Sequence, residues 1–179
     1  KMDAVVAKEN DTNVDRGNSS SSSSSNSNDS QKQIELCDLL SEGLACRVYE
    51  LKINKRELVI KKCTRNSLSK NYLSFVDICH PNIERVYKVV FMGNAPLSAT
   101  YIFAEKLDIT LHQHAKLVGP QNVGTYIECI ASQVSSALEY IHEKLFMLHA
   151  DIKTNNIMID QKTNNVKVID FNNAISRHH

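Results

Sequence analysis

His149-Ala150-Asp151-Ile152-Lys153-Thr154-Asn155-Asn156, and beyond it Val168-Ile169-Asp170-Phe171, is the stretch from which this chain can be read. An Asp is followed two residues on by Lys and three further by Asn, and a second Asp closes an apolar run. An Asp with an Asn five residues later is by itself a common loop-capping pair. Here its surroundings add meaning. Upstream, Thr125 and Glu128 fit a capping box, and Ile127, Ile130, Val134, Ala137, Leu138, Ile141 and Leu145 recur at helical spacing, predicting a long amphipathic helix over Thr125–Leu145. Downstream, Ile157-Met158-Ile159, a loop of Asp160 to Asn165, and Val166-Lys167-Val168-Ile169 predict a hairpin. Asp151, Lys153 and Asn156 thus fall on a loop between helix and hairpin, with Asp170 at the hairpin's end.

Further out, Val48, Tyr49, Leu51 and Ile53 alternate as a strand does, and Glu57 to Lys61 supplies its hairpin mate. Leu68 to Ile78 reads as a short helix with Leu68, Tyr72, Leu73 and Val76 on one face. Val86–Met92 and Ala99–Ala104 read as strands separated by Gly93-Asn94-Ala95-Pro96. The order strands, helix, strands, long helix, loop, hairpin defines an α+β fold. Residues 1–33 are polar, with an unbroken serine run from Ser19 to Ser25, and are expected to be a disordered tail.

A formal net charge of +1 gives no electrostatic case for nucleic acid or an acidic membrane. No apolar run approaches the roughly 18 residues that span a bilayer. The five cysteines, Cys37, Cys46, Cys63, Cys79 and Cys129, are irregularly spaced without a CxxC pair. They are read as reduced thiols, which places the chain in the cytosol or nucleus.

The Asp151–Asn156 loop with Asp170-Phe171 resembles the catalytic loop and metal-binding motif of eukaryotic-type protein kinases of the serine/threonine class. The resemblance implies a bilobal fold: residues 34–104 as the sheet-rich N-lobe, 105–107 as hinge, and 108–179 as the start of the helical C-lobe. It implies ATP and Mg²⁺ as ligands and a protein hydroxyl as acceptor. In that reading Asp151 accepts the hydroxyl proton and Lys153 meets the charge on the transferred phosphoryl. Asn156 and Asp170 offer the hard oxygen ligands that Mg²⁺ prefers.

Leu58-Val59-Ile60-Lys61 resembles the strand delivering the phosphate-pairing lysine, with Val59 lining the nucleotide pocket and Lys62 as the register alternative. His80-Pro81-Asn82-Ile83 resembles the turn after the regulatory helix. Tyr101 to Leu107 resembles the hinge, where the backbone of Glu105 and Leu107 would bond adenine and Ala104 would be the gatekeeper. Ser41, Gly43 and Cys46 stand at the glycine-rich-loop positions ahead of Val48, so the phosphate cradle is eroded. His149 is expected to brace the loop, and His112 and His114 are read as exposed polar residues rather than a metal pair.

Other departures matter. Ungapped alignment back from His80 puts Asn71 where the regulatory helix should present a glutamate, and no acidic residue lies between Glu57 and Asp77. Asn172 replaces a glycine, and Ala150 replaces the arginine that reads a phosphorylated activation loop, so no such switch is expected. The chain stops nine residues after Asp170, and the long helix is expected to lack its main packing partner. The sequence therefore reads as a partial catalytic domain, a fragment or a naturally truncated protein, whose divergence suits a viral or otherwise fast-evolving gene. Two alternatives stand beside catalysis: a kinase-like binding module, or pseudokinase, that regulates another kinase, and a small-molecule phosphotransferase.

Overall fold

Strands β1 (Ile34–Glu42), β2 (Cys46–Ile53), β3 (Arg56–Cys63), β4 (Val86–Met92) and β5 (Ala99–Glu105) form one antiparallel sheet in the order β1-β2-β3-β5-β4. They belong to a computed structural model that describes residues 34–177 apart from 44–45, 65–69, 94–98, 120–121, 123 and 125. The expected tail, Leu68, Thr125 and most of the Gly93–Pro96 turn lie outside the described residues.

β2 turns into β3 through Asn54-Lys55, both at positive φ, as a two-residue primed turn requires. In β3 the side chains alternate, so Val59, Lys61 and Cys63 are buried together on one face. Val48 lies opposite Lys61 and Ala104 opposite Val59, which puts the sheet's inner wall on this face.

The same register corrects the reading of the cysteines. Cys46 and Cys63 are paired across β2 and β3 with their Cα atoms 4.2 Å apart, and they form a disulfide. Their adjacency is made by strand pairing between residues 17 apart, which spacing rules for CxxC cannot detect. Cys37, Cys79 and Cys129 are free. The argument from reduced thiols to an intracellular location therefore loses its ground.

Where a helix over Leu68–Ile78 was expected, the described residues hold a 3-10 helix, Lys70–Phe75, that buries Tyr72 and Phe75. After it Val76 bridges to Val86 in parallel. The second half of the chain contains β6 (Ile109–Thr110), α1 (Leu111–Val118), α2 (Ile127–Glu143), β7 (Met147–Leu148), a 3-10 turn (Thr154–Asn156), β8 (Ile157–Asp160), β9 (Asn165–Val168) and β10 (Ile175–Ser176). β6, β8 and β9 make a three-stranded sheet, and β7 pairs with β10. α1 is capped by Thr110, whose hydroxyl accepts from Gln113 N while the Gln113 side chain accepts from Thr110 N. At the start of α2, Tyr126 occupies the N-cap position without a side-chain bond.

α2 packs one face against the rest of the chain. Ala137 and Ile141 are buried, and Ile130 and Val134 pack on Ile157, Ile159 and Val166 of the β8–β9 hairpin. A larger cluster joins Tyr72, Phe75, Ile83, Val86 and Ile102 to Ala137, Ile141, Met147, Val168 and Phe171. The turn at His80–Ile83 docks between these layers. Asn82, nearly buried, donates to Gln133 Oε1 (2.8 Å) and Val166 O (2.8 Å), and Gln133 Oε1 also accepts from Val166 N (2.8 Å). Among the described residues no helix is long and apolar enough to cross a membrane.

Candidate active site

The loop after β7 is braced from within. His149 is 1% exposed; its Nδ1 accepts from Asp151 N (3.3 Å), so the proton sits on Nε2 and is donated to Ile169 O (3.0 Å). Burial lowers its pKa, outweighing the carbonyl and the nearby carboxylates, so the ring is a neutral strut. Ala150 stands at φ 60, a left-handed conformation that sharply turns the chain at Asp151.

Three side chains converge on one oxygen of Asp151. Oδ2 accepts from Lys153 Nζ (2.7 Å), Asn156 Nδ2 (2.9 Å) and Asn173 Nδ2 (3.4 Å). Oδ1 accepts none of these. The Lys153 bond, supported by Asn156 and Asn173, holds the carboxyl below its usual range. Asp151 is thus an ionised, oriented acceptor, suited to aligning a hydroxyl more than to holding its proton for long.

Asn156 is buried, and its amide nitrogen also donates to Asp151 O (2.9 Å), which turns its carbonyl oxygen away from Asp151. Its backbone carbonyl accepts from Ile169 N (3.0 Å), tying the loop to the end of β9. Asp170 follows at φ 65, with Oδ1 accepting from Asn172 Nδ2 (2.7 Å) and Asn172 N (3.3 Å). Phe171 is buried between the lobes, stacked on Phe75 with ring centroids 3.8 Å apart and edge-on to Tyr72 and His149. One carboxylate and one amide oxygen fit Mg²⁺, which takes few protein ligands and completes its shell with water and phosphate.

Of the two lysines that the register left open, Lys61 is the one on the buried face of β3. Lys61 is 8% exposed, whereas Lys62 lies on the other face with Nζ 5.8 Å from the Tyr101 ring centre. The lysine's partner was missed in the sequence. Lys61 Nζ sits 2.7 Å from both carboxylate oxygens of Glu84, itself 2% exposed, and 3.5 Å from Tyr72 Oη. Asn71 does not face Lys61; its amide donates to Asn172 O (3.2 Å). Asp77, the alternative acid, is exposed at φ 60. Alignment counted along the helix could not find Glu84, because it follows the His80–Ile83 turn, and its neighbours Asn82 and Arg85 give no sign in the sequence that it is buried.

Burial pulls the Lys61 pKa down, but Glu84, Tyr72 and Asp170 outweigh it and raise the value above that of an ordinary lysine. Burial also raises Glu84, with Lys61 opposing.

The remaining predicted residues divide. Val48 and Val59 lie on the Lys61 face, and Ala104 is fully buried beside Val59. Glu105 ends β5; its N–H bonds Arg85 O (3.0 Å), and its carboxylate accepts from Lys167 (2.6 Å) and Arg85 N (2.7 Å). Leu107 lies beyond β5, outside the sheet pairing. Ser41 is exposed opposite Val48. Gly43 lacks a positive φ, and its N–H bonds Cys46 O (2.9 Å). His112 is exposed as expected, whereas His114 is only half exposed and packs edge-on to Tyr126.

Residues 34–178 match the protein kinase domain model, and the chain belongs to that family. It is 29% identical over 74% of its length to a leaf rust 10 disease-resistance locus receptor-like protein kinase-like protein of Arabidopsis thaliana, covering 21% of that protein. It is 30% identical over 78% of its length to serine/threonine-protein kinase csk1 of Schizosaccharomyces pombe, covering 46% of it. Over 71% of its length it is 25% identical to mitogen-activated protein kinase kinase 1c of Physcomitrium patens, covering 34%. The chain thus spans less than half the length of these relatives.

Proposed function

We propose that this chain carries the ATP- and Mg²⁺-dependent phosphoryl-transfer site of a serine/threonine protein kinase. The observation that carries the reading is the convergence of Lys153, Asn156 and Asn173 on Oδ2 of an ionised Asp151, in a loop whose Asn156 O accepts from Ile169 N next to Asp170. Mg²⁺, when held by Asn156 and Asp170, supplies charge neutralisation at the phosphates. Lys61 holds the α- and β-phosphates from β3, and Val48, Val59 and Ala104 form the apolar wall for the base. The backbone of Glu105 and Leu107 reads its edge, and Ser41 and Gly43 lie in the loop over the phosphates. Asp151 aligns the acceptor hydroxyl of a protein substrate through Oδ1, and Lys153 screens the charge gathering on the transferred group.

The test is transfer of the γ-phosphate to serine and threonine peptides. Asp151→Ala should lower kcat by two orders of magnitude or more (roughly the scale of a lost general base), with the melting temperature retained. Equal turnover by wild type and Asp151→Ala overturns the reading.

One observation favours a kinase-like binding module acting on another kinase or regulatory protein: the Gly43 N–H is committed to Cys46 O, leaving the phosphate cradle poorer by one donor. Thermal-shift titration separates the two, since a catalytic site is stabilised by ATP in a Mg²⁺-dependent way.

A further inference from the structure

We propose that Glu84 is the positioning residue for Lys61, a role held here by the chain between the His80–Ile83 turn and β4 and by no residue of the helical segment before it. The inference rests on the phosphoryl-transfer reading for its functional consequence, but the pairing itself stands on geometry.

First, the segment before the turn cannot supply a carboxylate, because no Asp or Glu occurs between Glu57 and Asp77 and Asp77 is exposed. Among the described residues, that segment gives Lys61 the Tyr72 hydroxyl, at 3.5 Å. Second, both Glu84 oxygens lie 2.7 Å from Nζ, and both groups are buried, so the pair is shielded from competing water.

Third, Glu84 is fastened to the end of β9. Its N–H bonds Val168 O (2.9 Å), Val168 N bonds Asn82 O (2.9 Å), and Ile83 bridges Val168 in parallel. Two residues beyond Val168 is Asp170, and Ile169 N bonds Asn156 O. One short run of backbone bonds therefore fixes the lysine's counter-ion relative to Asn156 and Asp170. The spacing between Lys61 and the metal-binding groups is set by sheet pairing. Rotation of the helical segment, which would break a pair carried there, leaves this one intact.

The experiment uses the full chain. In the apo-protein, the labelling rate of Lys61 by an amine-reactive reagent is read by peptide mass spectrometry. Glu84→Gln keeps shape and a hydrogen bond but removes the charge. It should raise the labelling rate by roughly tenfold or more, the effect of one pKa unit. Asn71→Ala should leave that rate unchanged. Labelling unaltered by Glu84→Gln, or raised equally by Asn71→Ala, overturns the pairing.

ATP·Mg²⁺ binding and kinetics are read alongside. Glu84→Gln should lose most of the thermal shift and lower kcat more than it raises KM, with Glu84→Asp recovering part of both. Should Glu84→Gln fail to fold, the labelling comparison is made on Glu84→Asp, for which an intermediate rate is expected and a wild-type rate overturns the pairing. Wild-type protein stabilised by ATP·Mg²⁺ with Glu84→Gln bound equally well overturns the positioning role. Wild-type protein not stabilised at all overturns the phosphoryl-transfer reading, while the labelling result decides the pairing separately.

Discussion

Lys61 and Glu84 are worth more as a pair than either is alone. Removing one partner of a buried ion pair leaves an uncompensated charge, at a cost of about 3–5 kcal/mol. Lys61→Met should therefore lower stability by about that much in urea titration, and adding Glu84→Gln should recover most of it. A loss of activity in Lys61→Met alone would mix a phosphate contact with unfolding. Lys153 is the contrasting case, half exposed beside Asp151. Lys153→Ala should lower kcat without moving the melting temperature, because exposed pairs add little to stability. His149 gives the acid-side signature. Its folded pKa lies below the ordinary histidine value of about 6.5, so the unfolded chain binds more protons as pH falls. The contribution is complete above about 6.5 and is lost as pH falls through the folded value. Urea midpoints measured between about pH 7 and pH 5 should decline, and His149→Gln should flatten that decline.

Strand and helix signals were unequal in quality, for physical reasons. α2 and the β8–β9 hairpin were plain because each repeats one buried face at a fixed period. β1 escaped notice because its pairing with β2 shifts register between Leu36 and Leu39 and again between Leu39 and Ser41, which breaks the alternation a strand is recognised by. α1 was legible and unread: Thr110 and Gln113 have the spacing of a capping box. The segment ending at Phe75 shows the converse. Apolar residues three apart, as Tyr72 and Phe75 are, suit both an α-helix and a 3-10 turn, and here both rings pack against Phe171 from the tighter form. The β2–β3 turn yields a prediction at this scale. Lys55 sits at φ 67, where a Cβ is disfavoured, so Lys55→Gly should raise stability by about 1 kcal/mol, read as a higher melting temperature.

Across the whole molecule, the disulfide is the feature most open to direct test. Cys46 and Cys63 join the loop-bearing strand to the strand of Lys61 across a separation of 17 residues. A closed loop of that size is worth about 3 kcal/mol, so replacing both cysteines by serine should lower the urea midpoint correspondingly, as should reductant acting on the wild type. The sequence alone made the protein kinase family legible, because Asp151, Lys153, Asn156 and Asp170 lie in one short stretch between a periodic helix and the end of a hairpin. It also determined the α+β class, which follows from local periodicity. Tertiary structure alone decided which groups meet across the sheet. Glu84 reaches Lys61 from 23 residues away, and Cys46 meets Cys63, only once β4, β9 and the β2–β3 register are in place. Pairing of that kind depends on strand order and on which face each side chain takes, and neither is written in the spacing of the residues that meet.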